Sequence, residues 1–463
     1  MIWSLAPVVH LNIHCLRTRY PRERHIGSGN ILREPAVQAT LYSCEYNELR
    51  IFSDVPHHDT PVKLSTPNIM CQHMIKQSVL ALLLATAASL CDASETHWTG
   101  GWYASPVEFA PQFSNATFRT VLHVTTGGDR LRLRISNLYG HTPLRVGSVY
   151  MSTGNIGKSV TFNGAPQVSI NPGDVSASDP VEIKIAPGAE ITVSVFYPEE
   201  IPQELTLHFG AADSNMIVPG NAAVSGASLA IAGTPVFATY FLVGVDVDDA
   251  ESRGTIVALG DSITEGGTDR WPALLAQRLS DAGKRYGVVN AGIGGNRLLS
   301  DVKGVSGIYG QSALSRFDRE VLEQPTARYV IVYEGINDLG LGETSQLDGS
   351  RPPQLADLVA AIRRLATRAH RQGIKIYAAT LGPFEGARNP TYYSSRKNTL
   401  RGEINHWIRT SKDVDGYFDF DHALADPDHP NRLNPEYDSG DHLHPNPEGE
   451  RALSQAVDIS KFD

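Results

Sequence analysis

From Thr255 to the C-terminus, short apolar runs alternate with helical patterns, and this alternation restricts the possible folds more than any other feature of the chain. The strand candidates are Thr255–Leu259, Tyr286–Asn290, Tyr329–Glu334, Ile374–Thr380 and Gly416–Phe420. Helical stretches lie between them near Trp271–Ala282, Ser312–Leu322, Gln354–Gln372 and Arg396–Thr410, and a last helix is expected after Pro447. In the third stretch Leu355, Leu358, Val359, Ile362, Leu365, Ala366 and Ala369 share one face at helical spacing. Repeated β-α units imply a parallel sheet with helices on both faces. Ligands of such sheets bind at the carboxyl ends of the strands. The first strand stops at Gly260-Asp261-Ser262, which makes Ser262 an exposed, rigidly held candidate nucleophile.

The preceding stretch has a different period. Arg130–Ser136 and Glu190–Tyr197 alternate polar and apolar residues, and Glu182–Ile185 does so briefly. Turn clusters at Thr126–Asp129, Asn163–Pro166 and Asn171–Asp174 separate the runs. Short alternating strands with regular turn signals predict an antiparallel β-sandwich over residues 97–247, without helices. The acidic run Asp246–Arg253 is read as the linker to an α/β domain spanning 254–460.

Residues 1–73 show no sustained periodicity. Residues 74–93 have a basic start at Lys76, an apolar core over Val79–Ala88 and small residues near the end, the form of a secretory signal peptide. That core falls short of the roughly 20 residues a membrane span needs. Translation is therefore expected to start at Met74, with residues 1–73 a non-native upstream extension and disordered, and cleavage after Ala93. The location expected is secreted or periplasmic, without stable membrane insertion. The cysteines, Cys15, Cys44, Cys71 and Cys91, match no zinc spacing, and none lies beyond residue 91. The net charge of −10 argues against nucleic acid as a partner.

A serine hydroxyl needs a general base, and the base needs an orienting carboxylate. Gly440-Asp-His-Leu-His-Pro445 offers both: Asp441 and His444 stand three apart, a spacing that puts them on one side of a helical turn. His442 is a competing base. Two more segments end strands of the same sheet. Asn290–Asn296 is rich in glycine and can expose a backbone N–H. Glu334–Asp338 contains Asn337, whose amide could donate to a developing oxyanion. Taken singly, the glycines also fit a βα turn and Asn337-Asp338 a helix cap.

Together, Gly260-Asp-Ser-Ile-Thr-Glu-Gly266, Gly295, Gly335-x-Asn337-Asp338 and Asp441-x-x-His444 resemble the four blocks of the SGNH (GDSL) hydrolase family, over roughly residues 254–458. The resemblance implies a three-layer α/β/α fold with a five-stranded parallel sheet. It implies Ser262 as nucleophile and backbone oxyanion donor, Gly295 and Asn337 as further donors, His444 as base and Asp441 as its orienter, with Gly294 an alternative to Gly295. Trp98–Trp102 and Arg134–Gly140 resemble the β-sandwich that precedes this domain in some secreted bacterial members.

The expected activity is that of a secreted serine esterase working through an acyl-enzyme without a cofactor, on short acyl groups such as acetyl esters of carbohydrates. The substrate would be a small molecule or a polysaccharide. Lipid esters such as lysophospholipids are the alternative. A metal-dependent hydrolase is a third reading, from the acidic and histidine-rich run Asp419–His444. A binding protein with a dead hydrolase domain is disfavoured, because every expected catalytic residue is present.

Overall fold

The computed structural model describes residues 97–463 except 110–112, 200–204, 224–232, 302–303 and 342–350. The leader read at 74–93, the extension read at 1–73 and all four cysteines lie outside the described residues.

The first part is β-rich. One sheet pairs Trp98–Tyr103 antiparallel with Leu242–Asp248, then Arg130–Ser136, then Val175–Ala177. A six-stranded sheet has Ala116–His123 and Glu190–Tyr197 at its centre. Alternation buries one face of each strand: Leu131, Leu133 and Ile135 from the first sheet join Leu122 and Val193 from the second in one apolar core. Side chains of this size each contribute about 1.5–3 kcal/mol when fully buried.

Two local expectations differ from the structure. Residues 182–185 keep their alternating burial but form no ladder strand. Val181 and Ile185 make isolated bridges to Leu131 and Gly128, while the Ile183 N–H turns back to Val181 O at 2.9 Å. The acidic run is not a free linker either. Asp246–Asp248 end the strand Leu242–Asp248, and Asp246 is fully buried against Arg132 at 2.8 Å and Arg134 at 3.1 Å. Its neighbour Asp249 pairs with Arg285.

The second part carries a five-stranded parallel sheet in the order Gly287–Gly292, Thr255–Gly260, Ala327–Tyr333, Lys375–Ala379, Gly416–Phe418. The helices fall into two groups. Trp271–Asp281 packs with Pro447–Ala456, and Leu355–Arg371 packs with Ser395–Thr410. Each start has a local cause. Gln354 and Asp357 form a capping box, and Ser394 and Asn446 accept backbone N–H groups at the starts of their helices. The stretch expected as one helix near 312–322 is α-helical over Ala313–Phe317 and continues as a π-helical turn over Asp318–Leu322.

The two parts interlock. Ile293 belongs to the core of the β part, whereas Tyr103 and Val243 belong to that of the α/β part. The Gly100 N–H donates to Thr255 Oγ1 at 2.9 Å, and the Val288 N–H to Thr125 Oγ1 at 3.0 Å.

Candidate active site

Sheet register gathers the motif segments at one edge. Gly260 lies opposite both Gly292 and Tyr333, so these three adjacent strands end level with one another. Ser262 follows its strand end by two residues, Gly295 by three and Asn337 by four.

Ser262 leaves the strand in a turn built around Asp261. The Asp261 carboxylate accepts the Ile263 N–H at 3.0 Å, and its carbonyl accepts the N–H groups of Thr264 and Glu265. Burial pushes the Asp261 carboxyl up to about 7. Ser262 remains partly exposed, with Oγ 2.8 Å from His444 Nε2.

His444 arrives on the loop before the helix Pro447–Ala456. Its Nδ1 lies 2.6 Å from Asp441 Oδ2, and its backbone N–H donates to Asp441 Oδ1 at 2.8 Å. Burial alone would raise the Asp441 carboxyl. The hydrogen bonds from the His444 backbone and ring and from the Leu443 N–H outweigh it and hold the group at about 2. The competing base, His442, sits at φ 61° and directs Nδ1 to Asp438 at 2.5 Å, not to the serine.

Asn337 is buried, and its amide is fixed at both ends. Nδ2 donates one hydrogen to Asn296 O at 2.8 Å, and Oδ1 accepts the Tyr392 hydroxyl at 2.6 Å. The second amide hydrogen takes part in neither bond. Asp338 is also buried and accepts the N–H groups of Leu298 and Leu299 at 2.7 and 3.0 Å. Burial raises its carboxyl to about 6 against the pull of those bonds. Asn337 and Asp338 thus fasten the segment 296–299 that follows the glycine turn. Gly295 has φ +72°, and a Cβ there would lie 2.4 Å from the Tyr309 ring. At Gly294 a Cβ would lie 2.8 Å from Glu265 Oε2.

Beneath these loops lies a residue that motif reading did not find. Arg316 is wholly buried. It donates to Gly260 O at 2.9 Å, Ala291 O at 2.7 Å and Asn296 Oδ1 at 3.1 Å. It also pairs with Glu320 at 2.5 Å and Glu334 at 3.1 Å. Ser105, from the β part, donates to Glu320 at 2.5 Å. Burial works to raise the Glu320 carboxyl, but Arg316 and Arg319 outweigh it and keep it low; burial and Asp261 drive Glu334 well up. The sequence holds one signal for this hub: Arg316 and Glu320 share a face with buried Ala313 and Phe317, and charge on an apolar face asks for a buried partner.

The run read as a metal candidate is divided among other partners. Asp419 and Asp421 pair with Arg409, and Asp421 also with Arg401. The Asp426 carboxylate accepts N–H groups of Asp428 and His429, while Asp438 and Asp441 each hold a histidine. Among the described residues no three His, Cys, Asp or Glu groups gather as metal ligands. Among the same residues, no helix is long and apolar enough to cross a membrane.

Residues 258–452 match the model of the GDSL-like lipase/acylhydrolase family. Among solved structures, the chain is similar to a protein assigned to the lipolytic G-D-S-L family from Desulfitobacterium hafniense DCB-2, with 24% identity over 45% of this chain and 99% of that one and a TM-score of 0.33. A GDSL-like lipase from Bacteroides thetaiotaomicron VPI-5482 is 18% identical over 45% of this chain and 87% of that one, with a TM-score of 0.33. A catalytic mutant of an acetylxylan esterase from Geobacillus stearothermophilus is 19% identical over 46% of this chain and 94% of that one, with a TM-score of 0.35. No curated protein matches the chain.

Proposed function

We propose that this chain, whose C-terminal part belongs to the GDSL-like lipase/acylhydrolase family, hydrolyses carboxylic esters through an acyl-enzyme on Ser262. The observation that carries the reading is the continuous line from Ser262 Oγ to His444 Nε2 at 2.8 Å and from His444 Nδ1 to Asp441 at 2.6 Å. A low carboxyl pKa keeps Asp441 charged, so it can orient the ring and stabilise the imidazolium.

In this mechanism Oγ attacks the ester carbonyl carbon and its proton passes to His444 Nε2. The backbone N–H groups of Ser262 and Gly295 and the free amide hydrogen of Asn337 receive the oxyanion. Such donors are each worth about 10²–10³ in rate, because they are fixed before charge develops. The carbon–oxygen bond to the alcohol then breaks, and the Nε2 proton goes to the leaving oxygen. Water, activated by His444, later releases the acid.

The substrates we propose are short acyl esters, chiefly acetyl, on carbohydrates, met outside the cytoplasm by way of the leader at 74–93. The cleft beside His444 supports the polar side of this reading, since Arg388, Asn389 and Tyr392 line it. The reading treats the β part as an integral support of the site. Ser262→Ala should abolish release of 4-nitrophenol from 4-nitrophenyl acetate while far-UV circular dichroism stays that of the wild type. Retention of more than a few per cent of activity would reject Ser262. Comparison of acetyl with long-chain nitrophenyl esters tests the acyl preference, and faster turnover of the long chain would favour lipid esters instead.

A further inference from the structure

We propose that the cleft beside His444 receives the alcohol portion of the ester and is built for a hydroxyl-rich, sugar-like alcohol, with Arg388 and Asn389 as its donors. The proposal rests on the esterase reading of Ser262 and adds the orientation of the substrate and the residues that meet its alcohol.

The cleft has a volume of about 460 Å³, and its walls include Arg388, Asn389, Tyr392, Leu443 and His444. It borders the base of the site, since His444 and Asp441 line it. Tyr392, also in the lining, reaches Asn337 through its hydroxyl at 2.6 Å. Chemistry decides which half of an ester enters. When the tetrahedral intermediate collapses, the bond from the former carbonyl carbon to the alcohol oxygen breaks, and its electron pair stays on that oxygen. The oxygen takes the proton from His444 Nε2, so the alcohol must depart along the imidazole. His444 lines this cleft, which is therefore the space assigned to the alcohol.

The donors on its walls point to the class of alcohol. Arg388 is held against the loop that carries the histidine: its N–H donates to Asp441 O at 2.9 Å and its Nη2 to Gly440 O at 3.1 Å. A guanidinium has five N–H donors, so most remain for a ligand. Asn389 uses Oδ1 for the Thr391 N–H at 3.1 Å and the Thr391 hydroxyl at 2.9 Å, which leaves its NH₂ as the group to offer. Both residues are exposed at the cleft. Vicinal hydroxyls can accept from these donors as water does. An alkyl alcohol would strip water from them and return nothing.

The test holds the acyl group constant and varies the alcohol. The ratio of kcat/KM for an acetylated methyl glycoside to that for hexyl acetate is measured for the wild type, Arg388→Ala, Arg388→Lys and Asn389→Asp. Asn389→Asp keeps the acceptor that Thr391 uses and removes the NH₂. The ratio does not depend on how much of a variant is folded. The wild type should favour the glycoside ester. Arg388→Ala and Asn389→Asp should each lower the ratio about ten-fold through a higher KM for the glycoside ester, with Arg388→Lys intermediate. A wild type that prefers hexyl acetate, or a ratio that no variant moves, overturns the inference and leaves the esterase reading standing. A wild type that hydrolyses no ester, 4-nitrophenyl acetate included, overturns the esterase reading itself.

Discussion

The buried guanidinium of Arg316 donates to the carbonyl of Gly260 at 2.9 Å, two residues ahead of Ser262. The same group holds Ala291 O, next to the end of the second strand, and the side chain of Asn296, whose own carbonyl anchors Asn337. One planar cation therefore ties the serine turn to the two segments proposed to hold the oxyanion. Arg316→Met should destabilise the fold by about 3–5 kcal/mol, because it strands the Glu320 carboxylate without its main partner. Arg316→Lys keeps the charge but not the fork. It should keep most of the stability and lose kcat with little change in KM. Urea melts and steady-state kinetics on 4-nitrophenyl acetate separate the two effects, and an Arg316→Lys enzyme with wild-type kcat would refute the positioning role.

Asn337 and Gly295 are proposed to act on the transition state, not on substrate binding. Asn337→Ala should lower kcat about 10²–10³-fold and leave KM nearly unchanged. Tyr392→Phe, which frees the Asn337 amide to turn, should give a smaller loss of the same kind. Gly295→Ala combines a left-handed backbone with a Cβ 2.4 Å from Tyr309, so it should lose activity by displacing the turn. A KM effect without a kcat effect in Asn337→Ala would argue against the oxyanion role.

Asp338 should leave a pH signature in stability. Its carboxyl is raised to about 6 in the folded chain, against 3.8 ordinarily. Below the lower value both states hold the proton, and the full contribution is present. As pH rises the unfolded chain ionises first, so the contribution declines until pH passes the folded value and is flat beyond it. Asp338→Asn does not titrate. The stability of the wild type relative to Asp338→Asn should therefore fall by on the order of 2–3 kcal/mol between pH 4 and pH 7. Chemical denaturation at both pH values measures this, and a constant difference would show that Asp338 ionises normally.

The parts of the site legible in the sequence are those where chemistry is confined to a few consecutive residues at a strand end. Gly260-Asp261-Ser262 and Gly335-x-Asn337-Asp338 are of this kind, and the strand pattern alone placed both on one edge; Asp441-x-x-His444 is as compact but lies on the loop before the last helix. The α/β architecture was equally legible, since β-α alternation is a local signal. Pairings over long separations were not. Ser105 and Glu320 meet across 215 positions, and a lone arginine in a short helix reads as surface until that partner is known. Asp246 misled for the same reason: an acidic run resembles a linker unless Arg132 and Arg134 are seen to cover it. Residues 182–185 show the converse: the alternation persists, but the Ile183 N–H turns back to Val181 and the ladder beside Arg130–Ser136 is reduced to isolated bridges.

Where the β part meets the α/β sheet, two glycines lie against each other. A Cβ on Gly287 would fall 2.0 Å from Gly100 O, and one on Gly100 would fall 2.8 Å from Val289. At Gly287 the facing atom is backbone, which leaves no side chain to trim, so mutation cannot adjust that contact in small steps; at Gly100 the near atoms are the Val289 and Thr255 side chains. Descent with modification is then free to rework the outer loops of either part, while this point of backbone contact drifts only if an entire domain shifts its seat. In lineages that keep the arrangement, Gly287 should persist, whereas Gly100 can change where Val289 is trimmed.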